Sequence, residues 1–105
     1  PAIFVAKTKE GMAGYLIFYY VLEEGEIARI ATAHSVRRQG AASQMFWKLL
    51  DFCREQKITR IMLEVRENNE AARQFYGKCG FTKDGIRRNY YENPKENAVL
   101  MSVNL

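Results

Sequence analysis

The sequence is poor in the residues that most often declare a chemistry. One histidine, two cysteines and two prolines are found in 105 residues. Cys53 and Cys79 fit no metal-ligand spacing, and His34 cannot complete a zinc or Cys-His site with them, so no metal is expected and both thiols read as reduced and buried. Long apolar runs are also missing. The longest, Tyr15 to Leu22, falls far short of the roughly 20 residues a membrane span needs. The first residues lack a basic stretch followed by an apolar signal core. A cytoplasmic location and no membrane partner are expected. There is no repeat or low-complexity tract, and with 48% hydrophobic residues disorder is not expected.

What is present is one compact core's worth of chain, so every functional group is expected on a single domain spanning 1–105. The net charge of +4 suits a polyanion, either a nucleotide-bearing cofactor or a nucleic acid, and does not choose between them. Ile3 to Thr8 and Tyr15 to Leu22 are rich in β-branched and aromatic residues, with a predicted turn over 9–14, and so read as a β-hairpin. A second turn is predicted at Glu23 to Glu26. Ile27 to Ala33 reads as a strand, and Gly40 to about Gln56 as a helix. The apolar stripe of that helix (Ala41, Met45, Leu49, Phe52, with Ala42, Phe46 and Leu50 beside it) is wide enough to predict burial. Ile61 to Val65 is apolar on both faces, as an interior parallel strand reads. Asn69 to Lys78 follows as a helix stopped by Gly80, with strands at Phe81 to Arg88 and Ala98 to Leu105. The predicted order is β-β-β-α-β-α-β-β, an α+β chain with one parallel βαβ pair in a mixed, mostly antiparallel sheet.

Three places could carry chemistry. At Arg37 to Ser43 a glycine opens a helix behind two arginines; the free amides of the first turn and the helix dipole favour a phosphate, although an ordinary loop reads the same way. Glu64 is the one acid in the Arg60 to Val65 strand. Partial desolvation there would raise its pKa toward the range of a general base, whereas the structural alternative is a salt bridge to Arg66, Arg29 or Arg60. Tyr76, on the following helix, is either core filler or a proton donor to a leaving group.

Read in order, Ile30-Ala31-Thr32, Arg37-Arg38-Gln39-Gly40-Ala41-Ala42, Leu63-Glu64-Val65-Arg66 with Asn69, Tyr76 with Cys79-Gly80-Phe81, and Arg87-Arg88-Asn89-Tyr90-Tyr91 resemble a GNAT-type N-acetyltransferase. The match covers about residues 14 to 105, and the likeness is greatest to the ribosomal-protein alanine N-acetyltransferase branch. The Gln/Arg-x-x-Gly-x-Gly/Ala signature is met by Arg37, Gly40 and Ala42. The resemblance implies a GNAT fold and acetyl-coenzyme A as acetyl donor. It implies backbone contacts from Ile30, Ala31 and Thr32 to the acetyl and pantetheine portion. Arg37 to Ser43 (Arg37, Arg38, Gln39, Gly40, Ala41, Ala42, Ser43) would form the pyrophosphate cradle, and Asn69 would lie near the reactive end. Glu64 becomes the general base and Tyr76 the general acid. The chain departs from the family in carrying Thr32-Ala33-His34 where Val-Asp-Pro is usual, and Ala42 where a second glycine is frequent.

At the front, the family's first strand and two helices have no counterpart. Pro1 is compatible with a native short chain after loss of an initiator methionine and equally with a fragment. The missing helices wall the acceptor groove in the family, and if the short chain is the native one, the apolar surface left uncovered would favour a homodimer. The implied reaction is direct transfer to a primary amine. A protein α-amine, with a pKa of about 8, is an easier acceptor for a carboxylate base than lysine at about 10.4. The alternatives are a catalytically weak acetyl-coenzyme A-binding regulatory module and an acetyltransferase for a small amine. Nucleic-acid binding through Arg73, Arg87 and Arg88 is disfavoured because the arginines are scattered and no binding motif accompanies them. Cys79 as a ping-pong nucleophile lacks an activating histidine. His34 as a base, and Tyr90 or Tyr91 as a lip of the acceptor groove, remain open.

Overall fold

The computed structural model describes residues 1–9, 11–32 and 40–105. Its elements are β1 (Ala2–Thr8), β2 (Gly11–Val21), β3 (Glu24–Thr32), α1 (Ala41–Gln56), β4 (Arg60–Arg66), α2 (Glu70–Lys78), β5 (Thr82–Tyr91) and β6 (Glu96–Asn104). The order is the one the sequence predicts. Among the described residues, no helix is long and apolar enough to cross a membrane. The chain forms two compact units, Pro1–Thr59 and Arg60–Leu105.

In the first unit β1, β2 and β3 form an antiparallel meander, with Ile3 opposite Ile17 and Leu16 opposite Ile30. Alternation sends Ala6, Leu16, Phe18 and Ile27 into the core. Helix α1 contributes Met45, Leu49 and Cys53, spaced four apart on one stripe. The Phe52 ring of α1 meets Phe4 at 5.5 Å and Tyr20 at 5.3 Å, both edge-on. Polar ties fix the helix to β1: Lys48 Nζ donates to the Val5 carbonyl at 2.7 Å, and the Lys7 N–H donates to Gln44 Oε1 at 3.0 Å. The helix is nevertheless not buried all round as predicted. Trp47 is 64% exposed, and Lys48, Asp51, Arg54 and Glu55 share the open side. Its apolar stripe covers one face only.

The predicted turn over 9–14 is also corrected, because β2 starts at Gly11. Gly14 is a strand residue: a Cβ there would lie 2.5 Å from the Ala31 carbonyl oxygen and 3.3 Å from Met45 Cε. Gly25, predicted in a turn, belongs to β3, and a Cβ on it would run into the ring of fully buried Phe18. Both glycines serve close packing rather than chain reversal. Gly25→Ala should therefore destabilise the fold by about 1–3 kcal/mol through overpacking, seen as a lower denaturant midpoint at unchanged slope.

In the second unit β6 lies between β4 and β5, antiparallel to both, with Glu64 opposite Leu100, Leu63 opposite Met101 and Arg87 opposite Ala98. Strand β4 is not equally apolar on its two faces. Ile61, Leu63 and Val65 are buried, whereas Met62, Glu64 and Arg66 are half-buried. Strict alternation thus puts Glu64 on the more open face. The Asn69 side chain caps α2 by accepting the Ala72 N–H at 3.2 Å. Gly80, at φ 98°, ends the helical segment as predicted, and the Phe81 N–H returns to the Tyr76 carbonyl at 3.0 Å. Strand β5 runs on to Tyr91, past the predicted end at Arg88, through an irregularity between Arg87 and Tyr91 where Asn89 takes φ 52°.

Candidate active site

The first unit carries the candidate cradle. Gly40 is the N-cap of α1 at φ 78°, a left-handed conformation that favours glycine. A Cβ there would meet nothing within 4 Å, so the backbone angle is what asks for glycine. Gly40 brings no side chain to the cap, and the first turn carries no acidic residue, so among the described residues no cap side chain or first-turn carboxylate competes for the amides of Ala41, Ala42 and Ser43. The Gln44 N–H is already spent on the Gly40 carbonyl at 2.9 Å. A 16-residue helix with open amides and no first-turn acid fits a phosphate group. Ile30, Ala31 and Thr32 are the half-buried end of β3, paired with Leu16, Tyr15 and Gly14. Arg37, Arg38, Gln39 and His34 lie outside the described residues.

The second unit carries the three other predicted residues. The Glu64 side chain is 22% exposed, and its Oε1 lies 3.4 Å from Arg87 Nη1. Of the partners predicted, Arg66 binds Glu96 at 3.2 Å and Arg60 lies 3.9 Å from Asp84. Register explains the substitution: Arg87 sits opposite Ala98, two residues along β6 from the Leu100 that faces Glu64. The Arg87 guanidinium also lies over the Tyr90 ring, 4.9 Å from its centroid.

Tyr76 is 5% exposed, with its ring 5.6 Å from Phe75 and 5.5 Å from Phe81. Burial foremost, then the neighbouring Cys79 and Tyr91, push its phenol up to about 12, so the hydroxyl keeps its proton at neutral pH. Tyr91 is pushed up too, by burial first and then by Glu64, Tyr90 and Glu96, against a lowering by Arg66. Glu64 thus acts on Tyr91 and Tyr91 on Tyr76, a relation that sequence spacing alone does not disclose. The Asn69 Oδ1 is engaged in the α2 cap, in which Nδ2 has no part.

The thiols offer no rival chemistry. Both are free. Burial pushes Cys53 up to about 11 and raises Cys79 as well, which depletes the thiolate a nucleophile requires. Among the described residues, no group of three or more His, Cys, Asp or Glu side chains could hold a metal ion.

The model of the acetyltransferase (GNAT) family matches residues 1–81. A [ribosomal protein bS18]-alanine N-acetyltransferase of Haemophilus influenzae is 37% identical over 95 residues, covering 88% of this chain and 64% of the relative. The crystal structure of the ribosomal-protein-S18-alanine N-acetyltransferase from Escherichia coli superposes with a TM-score of 0.86 at 32% identity, covering 93% of this chain and 64% of that one. A Bacillus anthracis chain assigned as a streptothricin acetyltransferase, solved in complex with acetyl coenzyme A, gives a TM-score of 0.87 at 25% identity, with 98% and 61% covered. This chain thus spans less than two thirds of the length of each. The likeness bears out the expected α+β fold with its mixed sheet. By its family match, its relatives and its fold, the chain belongs to the GNAT acetyltransferase family.

Proposed function

We propose that this chain catalyses direct transfer of an acetyl group from acetyl-coenzyme A to a primary amine, most naturally the α-amine of a protein N-terminus. The observation that carries the proposal is the contrast between two groups of one unit. Glu64 is half-buried beside an exposed cation, and Tyr76 is buried and held protonated. A base and an acid with separate environments are what amine acylation by a thioester requires.

Acetyl-coenzyme A, when bound, supplies an activated acyl group on sulfur. The amides of Ala41 to Ser43, together with Gly40 and Arg37, Arg38 and Gln39, hold the pyrophosphate. The backbone of Ile30, Ala31 and Thr32 is assigned the acetyl and pantetheine end and the oxyanion of the transfer, and the family likeness assigns Asn69 to the reactive end of the same cofactor. Glu64 takes the proton of the attacking amine through water. Tyr76 gives its proton to the departing sulfur. An α-amine with a pKa of about 8 loses its proton to a carboxylate more readily than a lysine at about 10.4. The alanine N-acetyltransferases among the relatives support the same class of acceptor.

A cytoplasmic location and a homodimer go with this reading. The homodimer is supported by the apolar pair of Ile3 and Ile17 on the β1–β2 hairpin, where Ile3 is 63% exposed. Calorimetry with acetyl-coenzyme A, run beside an acetylation assay on peptides and small amines, tests the function. Heat together with acetylated peptide is expected. Heat without product identifies a regulatory module that binds and does not transfer, and product on small amines alone moves the acceptor class.

A further inference from the structure

Among the described residues, the side chain of Arg66, the last residue of β4, makes four contacts with the β5–β6 hairpin. Its Nη1 donates to Glu96 Oε1 at 3.2 Å and to the Pro94 carbonyl at 3.1 Å. Its Nη2 donates to the Glu92 carbonyl at 3.2 Å. Its guanidinium lies over the Tyr91 ring, 4.4 Å from the centroid. The Glu96 carboxylate is held from its other oxygen by the Asn68 N–H at 2.6 Å. Behind this clamp, the Glu67 N–H donates to the Asn97 carbonyl at 3.0 Å, and Asn97 bridges Glu67 Oε1 at 3.3 Å and the Asn89 N–H at 2.9 Å. The segment between β4 and α2 is thereby laced to the hairpin that carries Tyr90 and Tyr91.

The chemistry of this clamp exceeds what an ion pair needs. Glu96 alone would neutralise Arg66, yet the guanidinium also fixes two carbonyls of the connection between β5 and β6 and covers one aromatic ring. A planar fork can do all of this at once, and an ammonium cannot. Tyr90, 5.1 Å from Tyr91 in an edge-on pair, lies under the second arginine, Arg87, which is the ion-pair partner of Glu64. The end of β5 is thus two tyrosines under two arginines, one arginine reaching the Glu64 carboxylate and the other the hairpin backbone.

We propose that Arg66 is a positioning residue for the amine acceptor, holding the Tyr90–Tyr91 end of β5 and the Glu92–Lys95 connection in the register that presents an amine to Glu64. This rests on the transferase reading above. Arg66 touches no reacting atom in this account; it acts through Tyr91 and the hairpin backbone.

The test combines kinetics and amide exchange on Arg66→Lys and Arg66→Met. The acceptor KM should rise about tenfold or more in both variants. The KM for acetyl-coenzyme A should stay within about twofold. The Lys variant should not rescue, and the amides within 92–97 other than at Pro94 should exchange faster in both. Parallel rises in the two KM values would indicate a general structural role and overturn the proposal, as would wild-type behaviour of Arg66→Lys. If the unsubstituted protein acetylates no amine, the transferase reading falls, and the acceptor role of Arg66 falls with it. A transferase that is active while Arg66→Lys leaves exchange over 92–97 unchanged overturns the clamp and leaves the transferase reading standing.

Discussion

Glu64→Gln should lower kcat/KM for a peptide acceptor by about a hundredfold or more at neutral pH, with acetyl-coenzyme A binding unchanged. The amide is isosteric and cannot take the amine's proton. Glu64 lies on the half-buried face of β4 beside an exposed Arg87, so the substitution removes no buried, fully paired charge and the fold should survive. The loss should shrink as the pH rises through about 8, where a free α-amine is already deprotonated. Rate against pH for the wild type and the variant measures this directly. A purely structural Glu64–Arg87 pair would instead give a constant ratio across that range, accompanied by a lower unfolding midpoint.

Tyr76→Phe should cost about a hundredfold in kcat with little change in either KM. The variant keeps the ring contacts with Phe75 and Phe81 and removes only the proton donor. The wild-type phenol, pushed up to about 12, stays protonated throughout the working range, so no alkaline fall in rate should arise from its ionisation below about pH 10. The same shift has a stability consequence of definite sign. An unfolded tyrosine ionises near its ordinary value of 10.0, and the folded one resists until about 12. Stability conferred by this group is fully present below pH 10 and lost as the pH climbs toward 12. Tyr76→Phe should remove that component of the alkaline loss. Denaturant titrations at neutral and alkaline pH read it independently of activity.

The features legible in the sequence were those written as local pattern. The stripe of Ala41, Met45, Leu49 and Phe52 predicts α1, a start at Asn69 and a stop at Gly80 bound α2, and Glu64 and Tyr76 fall on the elements expected for them. What escaped was decided by partners distant in the chain. Gly14 and Gly25 read as turn residues because turns and close packing both ask for a missing Cβ, and only Ala31 and Phe18 across the strands distinguish the two. The apolar run of β4 hid its alternation, since Met62 reads the same whether covered or half-covered. Arg87 as the partner of Glu64, and Arg66 as the clamp of the hairpin, depend on the registers of β4 and β5 against β6. Those registers are set by tertiary packing.

The most direct measurement uses one peptide with an N-terminal alanine and an internal lysine, incubated with acetyl-coenzyme A and the protein, with the modified nitrogen located by fragmentation mass spectrometry. The account predicts a single acetyl group on the α-amine, formed by the wild type and nearly absent with Glu64→Gln and Tyr76→Phe. Acetylation confined to the lysine, or equal yields from all three proteins, would contradict it.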